Sequence, residues 1–244
     1  MFDRNAIKDN FSRAAASYDA HANLQKIVRA DALEMAREYF PQGLLVVDIG
    51  CGTAAIAGEN WQVVGVDIAY GMCKLARENG ANIINAAADA LPLADASVDG
   101  VFSSLMLQWI GKPEAVISEI MRVLKPDSVA IISTFVQGTL QELKDAFSAL
   151  GDAQHISEFM SSEQLLLRVA HSGARVLEVR DETYAQEIES AYSLMKSIKN
   201  IGASNKLSAR KKGLMTGAQL AKVAAAYQGN IASWQVLTMV IEKA

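Results

Sequence analysis

Near the start of the chain, apolar residues recur at helical spacing. Leu24, Ile27, Val28, Leu33, Met35 and Ala36 predict a helix within residues 22–40, closed by Pro41. The period then changes. Leu44-Leu45-Val46-Val47 is a continuous apolar run, the pattern of a parallel strand covered on both faces, and it stops at Asp48-Ile49-Gly50-Cys51-Gly52. A second strand is expected over Gln62–Val66, ending at Asp67. A helix over Gly71–Glu78 and a third strand over Asn82–Asn85, ahead of Asp89, should follow. The alternation continues with a strand over Val98–Ser103, a helix over Glu114–Leu124, a turn at Lys125-Pro126-Asp127 and a strand over Ser128–Phe135. Helices are expected at 139–150 and 162–171, a strand at 175–180 and a last strand over Ile231–Ile241.

Strands that alternate with helices in this way predict an α/β fold, a doubly wound, mostly parallel seven-stranded sheet of Rossmann-like type. The chain reads as one domain, 1–244. Residues 1–40 form an N-terminal helical substrate segment, and residues 187–228, helical in pattern, form a lid inserted before the last strand.

Composition narrows the class. With 51% hydrophobic and 20% charged residues, the 244-residue chain can fill a core, and a globular enzyme is the expectation. No apolar run is long enough to cross a membrane, and Met1-Phe2-Asp3-Arg4-Asn5 lacks the order of a signal peptide, so a cytoplasmic location is expected. Cys51 and Cys73 form no metal motif and the three histidines are scattered, so the expected chemistry uses no metal. The net charge of −4 argues mildly against a nucleic-acid partner. Its distribution is more informative. Residues 190–241 hold Lys196, Lys199, Lys206, Arg210, Lys211, Lys212 and Lys222 and no acid, which suits an anionic partner better than an ordinary solvated helix face.

The candidate chemistry lies at the strand ends. Gly50-x-Gly52 lets backbone approach a ligand, and with Ala55 it loosely satisfies a dinucleotide fingerprint. Asp48 tips the balance, because a carboxylate sits poorly beside a pyrophosphate but suits a cationic amino-acid ligand. Asp67 stands where this fold places an acid for ribose hydroxyls. Asp89, followed by Ala90-Leu91-Pro92-Leu93, can accept from an adenine amino group. Each alone reads equally as a loop or cap aspartate, but three at successive strand ends define one crevice.

These pieces resemble the class I S-adenosylmethionine methyltransferases, through Val47–Thr53, Gly65-Val66-Asp67, Ala88–Pro92, Ser103-Ser104-Leu105 and Arg122–Pro126. The resemblance implies that S-adenosylmethionine is the cofactor and S-adenosylhomocysteine the product. It further implies that Asp48, Gly50, Cys51 and Gly52 hold the methionyl part. Asp67 would hold the ribose, with Met72 packing beside the ring, Asp89 and Ala90 would hold the adenine, and Ile68 and Ser104 would also belong to the cofactor site. One departure is visible: Ala54 stands where the family has a third glycine, and only 14 residues separate Gly52 from Asp67, leaving a very short helix at about 54–58.

The flanks are more specific. Asn10–Gln25, Leu105-Met106-Leu107-Gln108-Trp109, Phe135–Leu143 and Leu194–Asn205 resemble the malonyl-acyl-carrier-protein O-methyltransferases of biotin synthesis. That resemblance implies methyl transfer to the free carboxylate of a malonyl thioester on acyl carrier protein. Tyr18 and His21, three apart on one helical face, would then orient the carboxylate, with Gln25 extending the same face. Arg122, Lys196 and Lys199 would meet substrate or carrier, although Arg122 also reads as a structural arginine before the turn. Three other readings stay open: a methyltransferase for another small molecule, an NAD-dependent oxidoreductase and a cofactor-free carrier-binding module.

Overall fold

The structure, a computed structural model, describes residues 3–54, 56, 59–151, 158–203 and 216–243. Seven strands form a single sheet: β1 (Leu45–Ile49), β2 (Gln62–Asp67), β3 (Ile83–Asn85), β4 (Val98–Ser104), β5 (Leu124–Phe135), β6 (Ala174–Glu187) and β7 (Ile231–Lys243). Their order is β3-β2-β1-β4-β5-β7-β6. Strands β1 to β5 pair in parallel, whereas β7 runs antiparallel between β5 and β6. The order reverses beside β1, so the crevice opens where β1 and β4 diverge, at their C-terminal ends.

The continuous apolar runs are explained by helices on both faces. Val47, Ile49, Val101 and Ile132 point to one side, against α4 (Pro113–Val123) and α6 (Ser162–His171). Val46, Phe102, Ile131 and Val240 alternate to the other, against Ala32, Leu33, Met35 and Ala36 of α2 (Asn23–Tyr39). A third cluster joins the sheet end, through Phe135, Trp234 and Val236, to α5 (Gln141–Ser148), α7 (Ala191–Asn200) and α8 (Gly217–Ala226). The remaining helices are α1 (Arg4–His21) and α3 (Tyr70–Glu78). Among the described residues, no helix is long and apolar enough to cross a membrane.

Three expectations are corrected. Lys125-Pro126-Asp127 is not a turn but part of β5, which starts at Leu124 opposite Val98. The irregularity is absorbed by Asp127 at φ 60° and by a register shift between Val98 and Gly100. Strand β6 spans 14 residues instead of 175–180. It is an edge strand whose outer side carries polar residues, so apolar content marks only part of it, yet it pairs with β7 along its whole length. Between β1 and β2, Ala54 and Ile56 lie in turns and not in the short helix expected at about 54–58; Ala55, Ala57 and Gly58 lie outside the described residues. Of the basic segment, Lys206, Arg210, Lys211 and Lys212 also lie outside them.

Candidate active site

Strands β1 and β2 end on a loop that folds back onto its neighbour. The Gly50 and Cys51 amides both donate to Val66 O, at 2.7 and 3.3 Å, and the Gly52 amide donates to Asp67 Oδ2 at 3.0 Å. Gly50 has φ +75°, and a Cβ there would sit 2.4 Å from Met106 Cγ, so only glycine fits this approach. Asp67 Oδ1 accepts a second bond, from the Ala69 amide at 2.7 Å. Burial raises the Asp67 pKa above the usual carboxylate range, and these two amides oppose the shift. The carboxylate is thereby fixed in orientation at the floor of a cavity of about 390 Å³.

Gly50, Gly52, Asp67, Ile68, Met72, Asp89, Ser104 and Tyr18 all line this cavity, so the structure brings together most of the residues the sequence singles out. Ser104 Oγ accepts from Ser133 Oγ at 3.0 Å. Asp89 is ion-paired with Arg4 of α1. Tyr18 is half-buried, and burial pushes its phenol up to about 12, with Arg29 lowering it and Asp67 and Asp19 raising it. At neutral pH the hydroxyl therefore keeps its proton and acts as a donor.

The structure places the other expected residues elsewhere. Asp48 does not face the cavity. Strand alternation sends it with Val46 to the α2 side, where it lines a separate cavity of about 170 Å³ together with Cys51. Burial pushes its carboxyl up to about 7, Arg29 pulls it down and Asp67 pushes it further up. Ala90 is exposed and turned out of the site, its amide closing a turn onto Ala87 O at 3.1 Å. His21 is exposed at the end of α1, and the backbone breaks at Ala22, so Gln25 on α2 does not continue the Tyr18 face. Neither His21 nor Gln25 lines the cavity. Arg122 has no donor left for a substrate. Its guanidinium binds Glu119, Asp95 and the Leu91 and Leu93 carbonyls at 2.7–3.0 Å, clamping the loop after β3. Lys196 and Lys199 are solvent-facing on α7, away from the cavity.

Sequence reasoning missed the roof. Helix α1 covers the crevice with Arg4, Ile7 and Phe11 as well as Tyr18, and Phe11 packs edge-on against Trp109 with ring centroids 5.5 Å apart. The signal was present: residues 4, 7, 11 and 18 fall on one helical stripe. Helix α1 is pinned by Thr53 Oγ1 donating to Asp19 Oδ1 at 2.8 Å and by the Gly71 amide donating to Ser12 Oγ at 3.2 Å.

Comparison with known proteins agrees with this geometry. Residues 47–132 match the family described as "Methyltransferase domain". The chain is 35% identical over 236 residues to a malonyl-[acyl-carrier protein] O-methyltransferase of Hahella chejuensis, covering 93% of this chain and 84% of that one. It is 34% identical to the biotin biosynthesis bifunctional protein BioHC of Cellvibrio japonicus, covering 99% of this chain and 50% of that protein. Among solved structures, a Haemonchus contortus phosphoethanolamine N-methyltransferase in complex with S-adenosylhomocysteine shares the fold, with a TM-score of 0.56 and 19% identity over 88% of this chain and 52% of that one. The chain therefore belongs to the malonyl-[acyl-carrier protein] O-methyltransferase family.

Proposed function

We propose that the protein transfers a methyl group from S-adenosylmethionine to the free carboxylate of a malonyl thioester carried by acyl carrier protein, an early step of biotin synthesis. The observation that carries this reading is the roofed cavity itself. It has an oriented acid on its floor, a glycine cradle that a Cβ would fill, apolar walls from Ile68 and Met72 and a protonated phenol in its roof. Those residues fit the cofactor: Asp67 suits ribose hydroxyls, Met72 an adenine face, and the Gly50–Gly52 backbone the methionyl end. Asp89 suits the adenine amine once Arg4 yields it.

When bound, S-adenosylmethionine supplies an electrophilic methyl group on a positively charged sulfur. An acceptor carboxylate, with a pKa near 4, is already ionised at pH 7, so the chain need not supply a strong base or a metal. What it supplies is position. Tyr18 donates a hydrogen bond that aims the carboxylate without protonating it, and α1 with Phe11 and Trp109 excludes water from the reacting atoms. Helices α7 and α8 serve as the lid, whose cations Lys196, Lys199 and Lys222 suit an acidic carrier.

The test is transfer of labelled methyl from S-adenosylmethionine to malonyl-acyl carrier protein, beside acetyl-acyl carrier protein, which lacks a free carboxylate. Label on the malonyl carrier alone supports carboxyl methylation. Equal label on both, or on neither, contradicts it.

A further inference from the structure

Helix α1 has two partners at once. One side lines the cofactor cavity with Arg4, Ile7, Phe11 and Tyr18. Another side meets the turn that ends α7. Ser17 Oγ donates to Asn200 O at 3.1 Å, and the Asn200 amide nitrogen lies 3.4 Å from His21 Nε2. Gly202, at φ +82°, packs so closely that a Cβ there would sit 3.0 Å from Asn10 O. Helix α7 therefore cannot shift at its C-terminal end without moving α1.

The solvent side of α7 presents Tyr192, Lys196 and Lys199, spaced by four and three residues on one stripe. All three are exposed, Tyr192 by 55%. Neither lysine forms an ion pair with a described residue. An aromatic ring flanked by two uncompensated cations, in a stretch of chain without an acid, matches a partner that is acidic and has some apolar surface.

We propose that the Tyr192–Lys196–Lys199 stripe is the docking face for an acidic carrier protein, and that docking there is coupled through α1 to retention of the cofactor. The inference rests on the carrier-protein reading above. A carrier seated on α7 presses the Asn200–Gly202 turn onto the middle of α1. Helix α1 is already tied beside the cavity by Thr53 to Asp19 and by Gly71 to Ser12, two contacts that leave Asp89 free for the cofactor. Closing α1 encloses the cofactor before the acceptor reacts. Linkage makes the effect reciprocal: a cofactor that orders α1 also strengthens carrier binding.

The experiment measures S-adenosylhomocysteine affinity by calorimetry, with and without saturating malonyl-acyl carrier protein; the product is the probe because it permits no turnover. The expected result is roughly fivefold or greater tightening in the presence of the carrier. A Lys196→Glu/Lys199→Glu variant should weaken carrier binding at least about tenfold while leaving product affinity of the free enzyme unchanged. Ser17→Ala, a mild change, should bind both ligands and lose part of the coupling. If the carrier binds and is methylated but product affinity does not change, the coupling is wrong and the functional reading survives. If the double charge reversal leaves carrier binding intact, the docking face is wrong. If no carrier binds or is methylated, the functional reading falls, and this proposal with it.

Discussion

Asp67 is held by two backbone amides, and this arrangement makes it sensitive to a change as small as one atom. In Asp67→Asn the side chain faces the Gly52 and Ala69 donors with a single acceptor, and its NH₂ group opposes the other. The expected outcome, read by calorimetry, is at least a tenfold loss of S-adenosylhomocysteine affinity, about 1.4 kcal/mol. Tyr18→Phe keeps the ring packing and deletes the donor. Its kcat/KM should drop roughly 10- to 100-fold, the range for a hydrogen bond to a charged group, with product affinity unchanged. Asp48 gives a pH test. Its folded pKa, about 7, lies above the ordinary carboxylate value, so between about pH 4 and pH 7 the folded state holds a proton that the unfolded state has lost. Its contribution is thus most favourable at low pH and is lost as pH rises through 7. The unfolding temperature of Asp48→Asn minus that of the wild type should grow from pH 5 to pH 8; a constant difference would contradict the assignment. Asp67 and the glycines were legible in the sequence because strand ends and turns mark them. The direction of the Asp48 side chain was not, because it depends on which face of β1 each residue takes.

At the scale of elements, β1 to β5 were legible because two-sided burial writes continuous apolar runs into the sequence. Edge strand β6 was legible only in part, since half of its surface faces water. The break between α1 and α2 at Ala22 carries no glycine or proline, and without that cue His21 and Gln25 read as one face with Tyr18. The roof of the site is held by the contact between α1 and the start of α3. A Cβ at position 71 would sit 2.2 Å from Ser12 O, a backbone atom that cannot move alone. Gly71→Ala should therefore lift α1, weakening cofactor binding several-fold while the circular dichroism of the sheet is preserved; unchanged affinity would show that α1 is not the roof in solution. The Arg122 clamp is a second element-level device. Its loss in Arg122→Ala leaves the Leu91 and Leu93 carbonyls without their donor, and at a half-exposed site this costs about 1–2 kcal/mol of stability. Carrier KM should not change, which separates a clamp from a carrier contact.

For the whole molecule, charge and fold act together. The parallel sheet places the crevice at its C-terminal edge, and the segment before β7 packs α7 against α1, with Lys196, Lys199 and Lys222 exposed and outside the lining of the cavity. Association with an acidic carrier should then be steered by charge, so kcat/KM for malonyl-acyl carrier protein should fall as salt rises. The same ratio for a small malonyl thioester should stay flat. The most direct measurement remains the paired transfer assay with labelled S-adenosylmethionine. Methylation of malonyl-acyl carrier protein and none of acetyl-acyl carrier protein is the expected result. Binding of cofactor with no transfer to the malonyl carrier would contradict the account.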